Sequence, residues 1–333
     1  MYNYTAMKNI IFALALLFVC AALQAKPLAP TQYNSYDGFA PGGRPQAMGQ
    51  AFTVVGQDPA TMYFNPAGLV NVQKQYFSAS FEVTRQSTLS YNEIFNNEVL
   101  RDKNLIFVGL VSQSGALSWR PLADATVKTE SDTGWKETEI KANSYTLSAS
   151  HSNDSKLDTG INISYINGRI AQAGIENGTP FATLADGNGL SLDFGFIYHV
   201  ATEFRLGCAL QNIGGFIWWD DYETEQLPFI LRTGFAFEIA DFLTFSSDWV
   251  RRYYRSGPGT QETMHFGIEQ NFGNIVQLRG GIFGKDLKDE ETTHLSAGIG
   301  YRKNNYSLSL SGEKYKLLGT DVFRYLFSLD LPI

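Results

Sequence analysis

Between residues 76 and 331 the sequence divides into segments of alternating polarity, and every second link between them is tight. Fourteen candidate strands follow, near 76–85, 104–113, 115–121, 138–151, 158–170, 188–200, 204–213, 228–240, 242–254, 263–273, 275–284, 293–303, 306–315 and 322–331. In the first, Phe77, Ala79, Phe81 and Val83 share one face, while Ser78, Ser80, Glu82 and Thr84 share the other. Near the middle, Leu190, Leu192, Phe194, Phe196 and Tyr198 oppose Ser191, Asp193, Gly195 and His199. A repeat of two is the side-chain period of a strand. It fits a soluble sandwich and a membrane barrel equally well.

The links separate the two. Long ones lie at 86–103, 122–137, 171–187 and 214–227, and medium ones at 255–262, 285–292 and 316–321. They alternate with tight ones near Ser114, 152–157, 201–203, Asp241, Asn274 and Asn304–Asn305. Outer-membrane barrels have short periplasmic turns, longer outer loops and an even strand count. Greek-key crossings impose no such order. The expected fold is an all-β transmembrane barrel of fourteen antiparallel strands. A soluble periplasmic β-protein with a binding role is the alternative from another class.

Composition supports export and lipid. Residues 7–25, MKNIIFALALLFVCAALQA, read as a secretory signal peptide ending near Ala25, with Lys8 in the positive region if Met7 is the start. Lipidation at Cys20 is the poorer reading, because Val19 is an unsuitable neighbour. The expected division is 1–25 signal peptide, 26–73 hatch and 74–333 barrel. Past Ala25 no apolar run reaches the ~18 residues of a membrane helix, and Cys208 is the single remaining cysteine, so no internal disulfide is expected. Acidic residues outnumber basic ones, 33 to 26, which argues against nucleic acid as a partner. Aromatics make up 14% of the chain and gather near predicted strand ends, as in the girdles of barrels.

The stretch DPATMYFNPAGL, residues 58–69, offers two helix starts in succession. Asp58 can cap a turn beginning at Pro59, and Asn65 another beginning at Pro66. A barrel of eight strands fills its bore with side chains, while sixteen or more leave a water channel. Fourteen lie between, so a compact, nearly uncharged segment before the first strand is suited to plug the bore. Glu82, Asp193, Arg232, Glu238, Asp248, Glu269 and Arg302 fall on predicted inward faces and would give its backbone partners. A small extension packed on the rim is the alternative.

RPQAMGQAFTVVGQDPATMYFNPAGL, residues 44–69, resembles the N-terminal signature of the FadL-like outer-membrane proteins, and more closely that of the PorV/PorQ group. NPAGL, which adds Ala67, Gly68 and Leu69 to the two capped turns, is its most specific part, and GCALQNIGG (207–215) and LPFILRTGFAF (227–237) are also similar. The resemblance covers the mature chain and implies a fourteen-stranded barrel with an N-terminal hatch in the lumen. It departs at the end, LPI, where many barrels carry an aromatic.

No catalytic signature is present, so no enzyme is expected: there is no GxSxG, HExxH, CxxC or GxxxxGK[ST]. His151, His199, His265 and His294 are scattered, and no metal or cofactor is expected. His199 and His265 suit lumen hydrogen bonds. Asp220, Asp221, Glu223 and Glu225 lack calcium-loop spacing and read as a solvated acidic loop. Arg251–Tyr254 suits an outer rim, or a plain strand end. The resemblance to the PorV group implies a part in protein secretion at the outer membrane of a Gram-negative-type bacterium. Secreted proteins or secretion machinery would be the partners, and Phe216, Ile217, Trp218 and Trp219 the outer-loop anchors. The alternative is a FadL-like passive channel for a hydrophobic small-molecule ligand.

Overall fold

The computed structural model describes residues 26–30, 40–86, 105–153, 156–239, 242–255, 259–273, 275–304, 306–317 and 319–333. The expected signal segment, nearly all of the 86–103 link, and the turn residues Asp241, Asn274 and Asn305 lie outside these. The strands are β1 (Tyr76–Gln86), β2 (Leu105–Val111), β3 (Gly115–Ser131), β4 (Gly134–Asn153), β5 (Leu157–Glu176), β6 (Thr179–His199), β7 (Phe204–Trp219) and β8 (Glu225–Gln226). Then come β9 (Phe229–Ile239), β10 (Leu243–Tyr253), β11 (Thr260–Phe272), β12 (Val276–Gly284), β13 (Thr293–Lys303), β14 (Tyr306–Leu317) and β15 (Thr320–Pro332). Apart from β8, each pairs antiparallel with the next, β7 pairing with β9, and β15 closes on β1 from Tyr76↔Pro332 to Gln86↔Val322. The two residues of β8 pair only with Phe216 and Ile217, and Pro228, which has no N–H to donate, separates them from β9. The wall is therefore a closed barrel of fourteen strands, as the links predict.

Burial is inverted relative to a soluble protein. Leu110, Leu117, Leu147, Ile163, Leu192, Phe237, Ile268, Leu278, Ile299 and Leu310 are exposed on the outer face. Ser118, Ser148, Asn162, Ser164, Ser191, Ser246, Ser296 and Ser311 are buried on the inner one. That is the arrangement for a wall with lipid outside and polar groups within. It removes the soluble-sandwich alternative.

Two expected loops prove to be strand. The 122–137 and 171–187 links continue as β-ladder to two-residue turns at Asp132–Thr133 and Asn177–Gly178. Asn177 and Gly178 have φ of 51° and 79°, the left-handed pair that a tight hairpin needs. β4 and β5 span 20 residues each and β6 spans 21. Roughly 10 suffice to cross a bilayer, so this side of the wall rises well beyond it. The 214–227 link is likewise mostly β7 and β8.

Residues 40–72 fill the bore, in agreement with the plug and not with a rim extension. A helix at Gly43–Ala47, a turn of helix at Thr61–Phe64 and a 3-10 turn at Pro66–Asn71 make up this hatch. Phe52, Phe64, Ala67 and Leu69 are fully buried in it. Asn65 caps as predicted, its Oδ1 accepting from Ala67 N at 3.1 Å. Asp58 Oδ1 accepts from Ala60 N at 2.9 Å, but helical geometry starts at Thr61, so this bond closes a turn rather than capping a helix at Pro59.

Candidate functional site

The hatch meets the wall through two arms of different chemistry. The first, Gly43–Val55, is held by charge. Arg44 Nε and Nη2 donate to both oxygens of Glu269 on β11 at 2.8 Å, and Arg279 Nε donates to Glu269 Oε2 at 2.6 Å. Burial works against the Arg44 charge, but Glu269 outweighs it and holds the guanidinium above its ordinary pKa. Gln46 Nε2 donates to Glu313 Oε2 at 2.9 Å, and Gln46 Oε1 accepts from Ser311 Oγ at 2.7 Å. Asp248 Oδ2 accepts from Phe52 N, Thr53 N and Thr53 Oγ1 at 2.8, 2.9 and 2.7 Å. His265 bonds Gly49 O at 2.8 Å. Gly281 lets the Met48–Gly49 backbone lie directly on β12, where a Cβ would collide with it.

The second arm, Thr61–Val72, is held mainly by neutral amides. Asn65 Nδ2 donates to Thr53 O at 2.9 Å and Phe196 O at 3.1 Å. Asn162 Nδ2 donates to Met62 O at 2.9 Å, and Gln211 Nε2 to Tyr63 O at 2.5 Å. Two guanidiniums lie on its rings: Arg120 over Tyr63 at 4.6 Å and Arg232 over Phe64 at 5.3 Å.

Along β5, which runs from the short-turn end to the long-hairpin end, Gly160 and Asn162 face the hatch. Asn162, Ser164 and Ile166 line a chamber of about 40 Å³ beyond it. Ile166 and Ile170 then enter an apolar layer with Leu122, Ile140, Ile217, Trp219 and Leu227. Ala29 packs on this layer, and Lys26 Nζ donates to Asp220 O at 2.6 Å. On the opposite side of the hatch a polar vestibule of about 400 Å³ is lined by Asp58, Tyr76, Glu238, Arg302 and Asp330.

The inward residues expected from period two are inward, but they divide. Asp248 and Glu269 hold the first arm and Arg232 touches the second. Glu82 pairs with Arg324 at 2.5 Å, Glu238 pairs with Arg205, and Arg302 lines the vestibule. Asp193 accepts from Asn212 N at 2.8 Å and Asn162 Nδ2 at 2.9 Å, in the upper chamber. His199 bonds Asp158 at 2.8 Å. Arg44, Arg120, Asn162, Gln211, Asn212, Arg279 and Glu313 escape the sequence reading. The two-residue period of their strands is the signal that could have found Asn162, Gln211, Arg279 and Glu313, but it does not mark them from other lumen polar residues.

The outer aromatic anchor is corrected. Phe216–Trp219 lie in β7, not in a loop, and alternate faces. Ile217 and Trp219 are buried in the apolar layer; Trp218 is exposed and Phe216 half-buried. Gly168 and Gly187 provide the space for the Trp219 ring against the inner wall.

The chain is similar to solved barrels at low identity. The Ralstonia pickettii toluene transporter TbuX superposes with a TM-score of 0.67 at 15% identity, covering 91% of this chain and 100% of that one. The Pseudomonas putida toluene transporter TodX gives 0.63 at 13% identity, covering 90% and 98%. A Pseudomonas aeruginosa FadL homologue gives 0.56 at 12%, covering 92% and 99%. The fold is that of the FadL-like barrels. No family model matches the sequence, and no curated protein does.

Proposed function

We propose that the protein is an outer-membrane barrel that passes small solutes inward around its hatch, a FadL-like passive channel. One observation carries this reading: a closed wall with an apolar outside has its bore occupied by its own hatch, with a chamber on each side. A structural stopper would not need the small chamber, and an open pore would not need the stopper. The solved barrels it superposes on include two toluene transporters, which supports transport as the common use of the architecture.

The secretion role implied by the PorV resemblance has less support. Its proposed anchor is reduced to Phe216 and Trp218, since Ile217 and Trp219 turn into the barrel. The test of the channel reading is uptake by cells carrying the protein against cells carrying an empty vector. Toluene, a fatty acid and a short organic acid are each supplied outside. Faster accumulation of at least one solute is expected; equal rates for all three contradict the channel.

A further inference from the structure

The vestibule on the short-turn side of the hatch holds opposite charges that do not meet. Arg302 on β13, Ser307 on β14 and Asp330 on β15 are consecutive partners in one row across the wall, and all three line the space. Two strand spacings set the Arg302 and Asp330 backbones about 10 Å apart. Asp58 faces the same space from the hatch. Asp58 and Asp330 are 9% and 7% exposed. Among the described residues each carboxylate is bonded through Oδ1 alone, to Ala60 N at 2.9 Å and to Ser78 Oγ at 2.6 Å. No ion pair joins Asp58, Asp330 or Arg302 to an opposite charge among the described residues. The other carboxylates of the lining are answered: Arg205 bonds Glu238, and Arg44 and Arg279 bond Glu269. The positive charge left over at Glu269, taken with Arg302, balances Asp58 and Asp330, so these groups carry no net charge together. Gln277 is a separate sign of a missing partner. It lines the vestibule and is 3% exposed, and its Oε1 is buried with no hydrogen-bond donor among the described residues.

Charges held out of water without partners are costly, and a ligand that brings the opposite charges removes the cost. A solute with one charge answers one kind of group and unbalances the lining. A zwitterion answers both kinds and leaves the balance as it was. We propose that the vestibule is a binding site for a small zwitterion, an amino acid, whose ammonium group goes to Asp330 and Asp58 and whose carboxylate goes to Arg302. A guanidinium matches a carboxylate through two parallel N–H bonds. Gln277 Oε1 is an acceptor for a remaining ammonium N–H. At about 400 Å³, the space has room for on the order of thirty waters, so an amino acid enters with part of its hydration. The site goes beyond the channel reading and stands without it.

The test is isothermal titration of the full-length, detergent-extracted protein with alanine, propionate and propylamine. The three are close in size and carry both charges, the negative one and the positive one, respectively. Alanine binds saturably and at least about tenfold tighter than either of the others, as expected when both charge-assisted contacts form. Arg302→Gln weakens alanine about tenfold and does not weaken propylamine. Asp330→Asn, which keeps an oxygen for Ser78, weakens alanine and propylamine and does not weaken propionate. Heat-modifiable gel migration is unchanged in both variants, and either decides the matter should the other not fold. The absence of saturable alanine binding overturns the site. So does an affinity for propionate or propylamine equal to that for alanine, or alanine binding that no folded variant weakens. Toluene uptake without alanine binding sinks this inference and leaves the channel. Alanine binding by a protein that passes no solute keeps the site and removes the channel.

Discussion

The two arms of the hatch occupy the same bore and touch the same wall, yet they are fastened by different chemistry. Gly43–Val55 meets β10–β15 through carboxylates and guanidiniums: Arg44 and Arg279 on Glu269, Gln46 on Glu313, and the Phe52–Thr53 backbone on Asp248. Thr61–Val72 meets β5 and β7 through side-chain amides bonded to backbone carbonyls, and β3 and β9 through two cation–ring contacts. Breaking one member of a buried ion pair costs about 3–5 kcal/mol, because the partner is left charged and dry. Losing a neutral hydrogen bond costs about 1–3 kcal/mol. The first arm is therefore the fixed mount. The second, which also lines the upper chamber through Met62 and Tyr63, is the more weakly fastened, and in the proposed channel it is the part that moves for a passing solute.

Glu269→Ala is the most damaging way to challenge this contrast. It strands Arg44 and Arg279 together, and a loss of about 3–5 kcal/mol is expected. The readout is the temperature at which the heat-modifiable form disappears; an unchanged value would show that the first arm is not held by charge. Asp248→Ala follows, removing the acceptor for three donors of Phe52 and Thr53 at about 3 kcal/mol. Amide exchange of those two residues should quicken while the strands stay protected. Asn65→Ala deletes the cap on Ala67 N and the bonds to Thr53 O and Phe196 O, for about 2 kcal/mol. Here leak of solute into vesicles rises with little change in barrel melting. A melting shift as large as that of Glu269→Ala would erase the distinction between the arms. Trp218→Ala, on the exposed face of β7, marks the lower end, with a change within about 0.5 kcal/mol.

The barrel was legible because strand period and link length are local properties. Each strand declares its own two faces, as Leu295, Ala297, Ile299 and Tyr301 do against Ser296, Gly298, Gly300 and Arg302. The NPAGL cap was legible for the same reason, since Asn65 and Pro66 act on their immediate neighbours. Strand length was not. The upper reaches of β3–β6 are rich in charge and glycine where they leave the membrane, so their alternation reads as loop. Asn177–Gly178, the strongest local hint of a hairpin, lies inside that stretch. The burial of Trp219 depended on Gly168 and Gly187, fifty-one and thirty-two residues earlier in the chain, which sequence position alone does not connect to it. The split of the inward polar residues into two arms is a product of barrel closure: Arg44 and Glu269 are 225 positions apart.

Hydrogen–deuterium exchange of the full-length protein in detergent measures the hold on each arm directly. The amides of 43–55 should exchange more slowly than those of 61–72, and both more slowly than the hairpin tips at 132–133 and 177–178. Equal rates in the two arms, or a hatch that exchanges as fast as those tips, would contradict a stopper mounted by charge on one side and released on the other.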